Sequence, residues 1–477
     1  MATAATVRLT QDTPGVFHAR IPPESADLTS DLLQKNHDKH HMYFNQSGFH
    51  NHIAHHLLTI FALGASPPQI QTAYDVNAIY QRPQFPVDQR IVADMSDPEK
   101  FIKYLANERY FHDYEIFFRK EIEASSWQQV LDKYVFGDTS LAKDMLARMY
   151  AGFYHPIIHL GFGIEFVNPA IMVEALAQAA THDNWPKPFL EAVDAKARPR
   201  LSSDQKPRAL IDLIHEARKT DKVRDSAQEK DGNKLRDGVL KRAFDETVGL
   251  CSQWYVQPTS DDLRLHTAEM INVCALFAGA SQHPSRKKQV KFDFFYIHCL
   301  NCSVFYSAFL QSEHDSWLSN ETRAKLLMYK GWTDIGMYAS RGSPELIMEE
   351  ITEYKPKYAE DGWPELFDRI NAVEDDGHAS KLVRALANGE QVCKPYETSE
   401  DQNIRKRFVV KGDMWLKLGH MAVDSVEGAE SRWVRNAGFD SAWQKIPERG
   451  TWPDGAKKEG QEIRGGSNVN GEGYDDA

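Results

Sequence analysis

Residues 263–277 read LRLHTAEMINVCALF, a stretch in which apolar residues recur at the three- and four-residue spacing of a helix. Six other stretches share this spacing, namely 101–105, 110–118, 141–153, 292–309, 326–338 and 382–386. Alternating apolar and polar runs between turn pairs, which are typical of strands, are almost absent. The sequence therefore predicts an all-α protein, either a large multi-helical single domain or two closely packed helical lobes.

Two helix starts can be placed from local chemistry. Ser66 precedes Pro67, and Asp97 precedes Pro98. In each pair the polar side chain can accept a hydrogen bond from a free N–H of the first turn, and proline loses nothing at the first helical position. We expect helices to begin at Pro67 and Pro98.

Composition suggests how the chain is divided. Residues 1–40 are predicted to be an N-terminal extension, 41–446 a helical domain, and 447–477, with seven glycines, a flexible C-terminal tail. Between 196 and 244 the sequence is rich in charged residues and poor in large apolar ones. This segment is either a seam between two lobes or a solvated helix pair lying on one continuous core.

Charge and hydropathy exclude several classes of protein. The 477 residues carry a net charge of −12 without a basic stripe, which disfavours nucleic acid as a partner. No stretch approaches the roughly 18 apolar residues of a membrane span. The chain has five cysteines, an odd number too small for a disulfide framework, and they are expected to be reduced thiols. We expect a cytoplasmic protein that binds neither nucleic acid nor a membrane.

Histidines are concentrated near the N-terminus. An even distribution of 19 histidines over 477 residues gives fewer than one in any twenty, yet residues 37–56 contain seven. On a helix, the apolar stripe would be flanked by histidines; the stripe consists of Phe49, Ile53, Leu57, Ile60 and Phe61, and the histidines are His52, His55 and His56. Gly64 suits the end of this helix. Single histidines on a helix are commonly surface residues, but such a cluster indicates a functional site.

Two further segments carry histidine among aromatic residues. In 153–166, FYHPIIHLGFGIEF, His155 and His159 are one turn apart, and Pro156 is expected to break the helix and free the carbonyl of Gly152. In 291–299, KFDFFYIHC, Asp293 and His298 are candidates to satisfy each other or a backbone group.

Metal binding is possible but not specified by spacing. Two histidine pairs at i and i+4 could form a four-imidazole site. However, no histidine follows a glutamate by three positions, as di-iron carboxylate proteins require, and no HExxH motif is present. Cys299 and Cys302 have no second cysteine pair, so a structural zinc is not expected. We predict no metal ligands, with a histidine-ligated metal as the alternative.

Other cofactor and catalytic motifs are missing. Gly161-Phe162-Gly163 continues to Phe166 rather than glycine in a helical context, so it is not a dinucleotide fingerprint. Neither a phosphate-binding Walker loop nor a Gly-x-Ser-x-Gly elbow occurs. These observations disfavour a nucleotide-dependent kinase, a Rossmann dehydrogenase and an α/β-hydrolase.

Four ordered motifs together resemble the questin oxidase-like family. They are GFHNHIAHH at 48–56 with LGA at 63–65, HPIIH at 155–159 running to Glu165-Phe166, DF at 293–294 leading to His298, and RWVR at 432–435 followed by Gly438-Phe439 and Trp443. The resemblance covers roughly residues 40–450. It implies a Baeyer–Villiger oxygenase of fungal secondary metabolism that opens the central ring of an anthraquinone-type polyketide.

The resemblance also implies which cofactors and partners to expect. The substrate would be a small aromatic polyketide in its reduced, anthrahydroquinone form, with O2 as co-substrate and neither flavin nor metal bound. NADPH would serve only to reduce the quinone, either here or in a separate upstream quinone reductase. The oligomeric state is not indicated.

The histidines suit such a reaction. A neutral imidazole can form the substrate anion near neutral pH, and N–H donors can stabilise negative charge on oxygen. We expect the catalytic residues to be His50, His52, His56, His155, His159 and His298, with Asp293 as the candidate to orient His298. Expected substrate-binding residues are Phe49, Phe153, Tyr154, Phe162, Asp293, Phe294 and Tyr296. His37 and His40 are expected to be solvated and outside the site. The alternatives are a metal-dependent oxygenase or hydrolase that uses the same histidines, and a non-enzymatic helical scaffold.

Overall fold

The computed structural model describes residues 1–450, which fold almost entirely into helices. Within this range there are 23 α-helices, short 3-10 and π-helical turns, and two strands of two residues each. The strands β1 (Phe292–Asp293) and β2 (Trp433–Val434) pair in parallel. The prediction of an all-α protein is confirmed.

The helices are distributed along the whole described chain. In the first part they are α1 (Ser25–Lys39), α2 (Ile53–Ala62), α3 (Pro67–Ala78), α4 (Gln89–Asp94), α5 (Pro98–Phe101), α6 (Phe111–Ala124), α7 (Trp127–Leu131), α8 (Ser140–Arg148), α9 (His155–Glu165), α10 (Pro169–Thr181), α11 (Lys187–Leu201) and α12 (Leu210–Lys219). In the second part they are α13 (Asp221–Arg224), α14 (Leu240–Arg242), α15 (Phe244–Cys251), α16 (Ser260–Ala280), α17 (Phe294–Phe309), α18 (Asn320–Ser340), α19 (Glu349–Thr352), α20 (Trp363–Asn371), α21 (His378–Glu397), α22 (Gln402–Arg405) and α23 (Met414–Val426).

Both helix starts predicted from the sequence are confirmed. Ser66 caps α3 and forms a capping box with Gln69, and Pro67 occupies the first turn. The side chain of Asp97 accepts a hydrogen bond from the backbone N–H of Glu99 at the start of α5. Gly64, just beyond α2, adopts a φ of +77°, a conformation that glycine tolerates without strain.

The centre of the molecule consists of helices buried on every side. All residues of α9 and α10 are buried, as is α16 from His266 to Ala280. Such helices carry apolar residues on every face because no face meets water, and the few polar side chains among them are buried. Helix α9 packs between α10 and α17, and α17 also packs against α16 and α21. A Cβ at Gly161 would lie 2.1 Å from Phe305, so glycine is what permits the close approach of α9 and α17.

One hydrophobic cluster runs through the predicted domain boundaries. It includes Val7 and Leu9 from the predicted extension, and Leu210, Val223 and Leu235 from the predicted seam. Near the predicted tail, Glu448 forms an antiparallel bridge with Lys288, and residues 451–477 lie outside the described residues. The division into domains therefore stays a prediction.

The described helices were also compared with the requirements of a membrane span. Within residues 1–450, none combines the necessary length with the necessary apolar composition.

Candidate active site

Six imidazole rings from separate parts of the chain meet in the interior. This histidine cluster consists of His50, His52, His155, His182, His298 and His378. Neighbouring ring centroids are close, at 4.0 Å for His50 and His155, 4.6 Å for His52 and His378, and 5.0 Å for His155 and His298. All are buried except His182, which is half-buried. The structure thus brings together four of the predicted catalytic residues and adds His182 and His378.

His50 and His52 reach the cluster from the segment that precedes α2, so the placement of His52 on a helix with Phe49 was wrong. His50 forms an antiparallel bridge with Tyr43, and His52 is the residue that precedes α2. The reason is a turn in which the Asn45 side chain accepts hydrogen bonds from the N–H groups of Ser47 and Phe49. Gly48 closes this turn with a φ of +77°.

His155 is presented by an unusual backbone. Gly152, Phe153 and Tyr154 have consecutive positive φ values of 51°, 53° and 69°. Helix α9 begins immediately afterwards, with Pro156 in its first turn. The prediction that Pro156 breaks a continuous helix was wrong, because proline at this position starts the helix instead. The carbonyl of Gly152 accepts both the backbone N–H and the Nδ1–H of His155.

Asp293 does not orient His298, contrary to the prediction. Its carboxylate precedes α17 and accepts hydrogen bonds from the N–H groups of Phe295, Tyr296 and Ala437. His298 instead donates Nδ1–H to the carbonyl of Phe294, at 2.6 Å. Asp293 is therefore a helix cap that fixes where α17 starts.

The start of α21 contributes groups that the sequence analysis missed. His378 is the first residue of the helix and donates Nδ1–H to Asp376, at 2.6 Å. Asp375 accepts from the N–H groups of Gly377 and Ala379. Lys381, one turn later, is buried, and its Nζ has no hydrogen-bond partner among the described residues.

The hydrogen bonds fix the tautomers of three rings. His155, His298 and His378 each use Nδ1 to contact an oxygen that can only accept, so Nδ1 carries the hydrogen. In the neutral rings Nε2 is then a lone pair. Nε2 of His155 lies 2.7 Å from Nε2 of His52, and Nε2 of His378 lies 3.1 Å from Nε2 of His298. The lone pairs of His298 and His378 therefore face each other, and the lone pair of His155 faces Nε2 of His52.

Such an arrangement fits a metal ion. His52, His155 and His378 each offer a nitrogen, and these atoms lie within 4.8 Å of one another. Metal-bound imidazoles usually donate their other N–H to a carbonyl or carboxylate, as His155 and His378 do here. The predicted combination of two i, i+4 pairs does not form, because His56 and His159 lie outside this group.

Burial keeps these imidazoles neutral. Desolvation, followed by repulsion from other cationic groups, lowers the pKa of His50, His52, His155 and His298 well below the usual value. Burial also lowers the pKa of Lys381 to about 8. Burial alone would raise the pKa of Asp376, but His378 and Lys381 hold it below its ordinary value. A carboxylate thus accompanies the neutral rings.

Behind the cluster lies a second line of buried polar groups. His159 donates Nε2–H to Glu174 at 2.7 Å, and its Nδ1 lies 3.0 Å from Nε2 of His55. The other oxygen of Glu174 accepts Nδ1–H of His37 at 2.7 Å. Burial opposes ionisation of Glu174, yet the two histidines lower its pKa to about 2. The expectation that His37 is solvated was wrong, whereas His40 is half-buried and stacks on Tyr74.

Glu115 lies beside this line and forms, with His37 and Glu174, a second group of residues of the types that bind metal ions. Its Oε1 is 3.7 Å from Nδ1 of His37, and burial raises its pKa to about 8. His37, Glu115 and Glu174 could hold an ion by distance alone. However, the Arg119 guanidinium donates to Nε2 of His37 at 3.0 Å and places a positive charge there. This group is therefore better described as a hydrogen-bonded network.

The remaining predicted residues fall into two groups. Phe49, Phe153 and Phe294 are half-buried, and the ring of Phe294 lies 4.8 Å from that of His298. Phe162 is buried and stacks on His55, and His56 lies 3.8 Å from Asp375. Tyr154 and Tyr296 are fully buried; they donate their hydroxyls to Asp334 and to the carbonyl of Tyr338.

The missed residues had little signal in the sequence. His182 and His378 are isolated histidines, and Glu174 lies in an apolar helix. The Asp375-Asp376-Gly377 turn indicates a helix start, which could have directed attention to His378 and Lys381.

Comparison with known proteins gives one consistent result. A model of the questin oxidase-like family matches residues 49–386. The chain is 42% identical over 432 residues to a Baeyer–Villiger monooxygenase of Cryptosporiopsis sp., covering 90% of this chain and 95% of that relative. It is 40% identical over 437 residues to a Baeyer–Villiger oxidase of Paecilomyces divaricatus, covering 90% and 92%. It is 36% identical over 455 residues to the questin oxidase of Aspergillus fumigatus, covering 94% and 100%.

These matches extend over nearly all of each relative, and they include the segments that supply His50, His52, His155, His298 and His378. The chain therefore belongs to the questin oxidase-like family and is an oxidoreductase of the Baeyer–Villiger type.

Proposed function

We propose that this protein uses O2 to insert an oxygen atom into the central ring of a reduced anthraquinone-type polyketide, and so opens that ring. Relatives named Baeyer–Villiger oxidase and questin oxidase support the reaction class. The half-buried rings of Phe153 and Phe294, whose centroids lie 6.3 and 4.8 Å from that of His298, suit a flat aromatic molecule next to the histidine cluster.

Oxygen activation is the physical difficulty of this reaction. Triplet O2 reacts slowly with closed-shell molecules, so the site must either make an electron-rich substrate anion or hold a redox-active metal. In the first case a neutral imidazole removes a phenolic proton, and N–H donors stabilise the resulting oxyanions. This metal-free form is the expectation from the sequence, and it stays a prediction.

One observation favours the metal-dependent form: three imidazole nitrogens converge while His155 and His378 direct their N–H groups away to oxygen acceptors. We therefore propose that His52, His155 and His378 hold a divalent transition metal ion. Imidazole suits iron, copper, nickel and zinc. A redox-active ion, when bound, would supply the one-electron steps that O2 requires.

The protein groups around such an ion have separate tasks. The carbonyl of Gly152 and the carboxylate of Asp376 hold the rings of His155 and His378 in one tautomer and orientation. His298, whose Nε2 is 3.1 Å from that of His378, is available as a further ligand or as a substrate contact. The rings of His52, His155, His298 and His378 are buried, which keeps bulk water away from their nitrogen atoms.

The experiment measures metal content and O2 uptake together. We expect a stoichiometric transition metal in the purified protein, loss of O2 uptake with a chemically reduced anthraquinone after chelation, and recovery when the metal is returned. His378→Ala should lose the metal and lower the rate by about 10²-fold or more. His40→Ala, remote from the cluster, is the matched control.

Three outcomes would contradict parts of this proposal. Full activity in metal-free protein would reject the metal and favour the metal-free form. Flavin absorption bands with dependence on added FAD would reject both forms. No O2 uptake with any reduced anthraquinone would reject the substrate class.

The proposal extends to the partners of the enzyme and to its location in the cell. We propose that a quinone reductase using NADPH supplies the reduced substrate, that the enzyme works in the cytoplasm, and that neither nucleic acid nor membrane is a partner. The net charge of −12 supports the exclusion of nucleic acid. If the proposal is right, chemically reduced substrate removes any requirement for NADPH.

A further inference from the structure

Glu174 lies at the centre of a line of buried hydrogen bonds that ends beside the histidine cluster. From the outside inward, the line consists of Arg119, His37, Glu174, His159 and His55. The four successive contacts measure 3.0, 2.7, 2.7 and 3.0 Å. The four inner residues are all buried, and Arg119 is half-buried.

Arg119 and Glu174 determine which group donates in each of these hydrogen bonds. Arg119 can only donate, so Nε2 of His37 must accept, and the hydrogen of this ring is on Nδ1, facing Glu174. The carboxylate can only accept, so His159 carries its hydrogen on Nε2. In the neutral ring Nδ1 of His159 is then a lone pair, which accepts Nε2–H of His55.

The consequence appears at the inner end of the line. With its hydrogen on Nε2, His55 keeps a lone pair on Nδ1, and that atom is buried without a hydrogen-bond partner among the described residues. The ring of His55 lies 5.7 Å from that of His52 and 6.2 Å from that of His155. An unpartnered buried acceptor is costly, and such groups occur where a ligand completes them.

We infer that Glu174 is a positioning residue, which sets the tautomers of His159 and His55 so that Nδ1 of His55 accepts a hydrogen bond from a hydroxyl group of the substrate. The inference rests on the proposed function only for the substrate class. A reduced anthraquinone carries aromatic hydroxyls, which are hydrogen-bond donors. The enzyme should therefore prefer a substrate with a free hydroxyl next to His55 over the analogue in which that hydroxyl is methylated.

The decisive substitution is Glu174→Gln. Since His37 still donates, the amide oxygen of glutamine must face His37, and its NH2 must face His159. His159 then accepts at Nε2 and carries its hydrogen on Nδ1, which it donates to His55. His55 in turn carries its hydrogen on Nδ1, so the inner end of the line changes from an acceptor to a donor.

This inversion can be measured without any activity assay. In the full-length protein labelled with 15N-histidine, the ring nitrogen shifts distinguish the two tautomers, and signals missing from His55→Gln and His159→Gln give the assignments. We expect hydrogen on Nε2 of both rings in the wild type and on Nδ1 in Glu174→Gln. Hydrogen on Nδ1 of His55 in the wild type would overturn the inference, even if Glu174→Gln failed to fold.

The functional consequence is tested with matched substrates. For a reduced anthraquinone with a free hydroxyl next to the reacting ring, we expect Glu174→Gln to raise KM by about 10-fold or more. The ratio of kcat/KM for this substrate to kcat/KM for its O-methyl analogue should fall, or the analogue should become the better substrate. Glu115→Gln, which changes a neighbouring carboxylate outside the line, should leave both values within about 2-fold. An unchanged preference in Glu174→Gln would overturn the inference. If the wild type oxidises neither substrate, the proposed function fails, while the tautomer measurement still decides the role of Glu174.

Discussion

Nε2 of His298 lies 3.1 Å from Nε2 of His378, although the ring of each donates Nδ1–H to an oxygen. Two neutral imidazoles in these tautomers present lone pairs to each other, which is repulsive. Burial lowers the pKa of both rings, so a shared proton is disfavoured. A cation held at Nε2 of His378 would engage one of the two lone pairs, and His52 and His155 are in place to complete its coordination.

The role of Asp376 can be tested by removing its charge. In Asp376→Asn, the Nδ1–H of His378 loses a charged acceptor, and Nε2 becomes a weaker ligand. We expect metal affinity, measured by competition with a chelator, to fall by about 10- to 100-fold. The exposed Asp368 of α20 offers a control, since Asp368→Asn should leave affinity unchanged. Equal affinities for wild type and Asp376→Asn would argue against His378 as a ligand.

Lys381 is expected to destabilise the folded protein while its charge contributes to activity. Its pKa is lowered by burial from 10.5 to about 8, so the unfolded chain binds more protons than the folded one between those pH values. The stability contribution therefore rises with pH from about 8 to 10.5, and at pH 7 the cost of the buried charge is fully present. Lys381→Met should raise the unfolding free energy of the metal-free protein at pH 7 by about 1 to 3 kcal/mol.

The same substitution should reduce activity. Nζ of Lys381 has no hydrogen-bond partner among the described residues, and its charge helps to lower the pKa of His52 and His55, so it can stabilise an oxyanion of the substrate. We expect O2 uptake by Lys381→Met to fall by about 10-fold or more. Lys394→Met, on the exposed side of α21, controls for the loss of a lysine. A variant that is both less stable and fully active would contradict this account.

Periodicity in the sequence was enough to predict the helices but not the position of every histidine. Helix α17 begins near the start of the predicted stretch 292–309, because its apolar residues follow the helical spacing and Asp293 caps its first turn. At α9, by contrast, Pro156 starts the helix that it was expected to break. The error at His52 arose because the helical pattern was extended back to Phe49, whereas the turn at Asn45 and Gly48 holds Phe49 and the residues that follow it outside α2.

The contribution of α21 could not be found from local density of histidines. His378 stands alone in the sequence and joins the cluster only because α21 packs against α17 and α2. His182 also stands alone in the sequence, and the fold brings its Nε2 to 2.7 Å from that of His50, which is 132 residues away in the chain. Sequence reasoning finds clusters that are contiguous along the chain, whereas packing assembles the others.

Tyr154 is expected to act on stability rather than on substrate stacking. Its side chain is fully buried, and its hydroxyl donates to Asp334 at 2.8 Å, beside the buried Lys330. Tyr154→Phe removes one hydrogen bond to a charged group, which should lower the unfolding free energy by about 1 to 3 kcal/mol. Denaturant unfolding measures this change, and KM should stay within about 2-fold. A large rise in KM with unchanged stability would restore the stacking role.

Substitutions of His37 and His40 by alanine can be compared to test the outer part of the line from Arg119 to His55. His37 is buried between Arg119 and Glu174, and its ring is one of two that satisfy this carboxylate. His37→Ala leaves a buried charge with one partner removed, so we expect the unfolding free energy to fall by about 3 to 5 kcal/mol. His40 is half-buried and stacks on Tyr74, so His40→Ala should cost less than about 1 kcal/mol.

Activity should separate the two variants as well. Without His37, Glu174 is free to rotate, and the orientation of His159 and His55 is no longer enforced. At a temperature where both variants are folded by circular dichroism, we expect steady-state O2 uptake to fall by about 10-fold in His37→Ala and to stay near the wild-type rate in His40→Ala. Similar rates and similar stabilities for the two variants would mean that the line from Arg119 to His55 does not support the site.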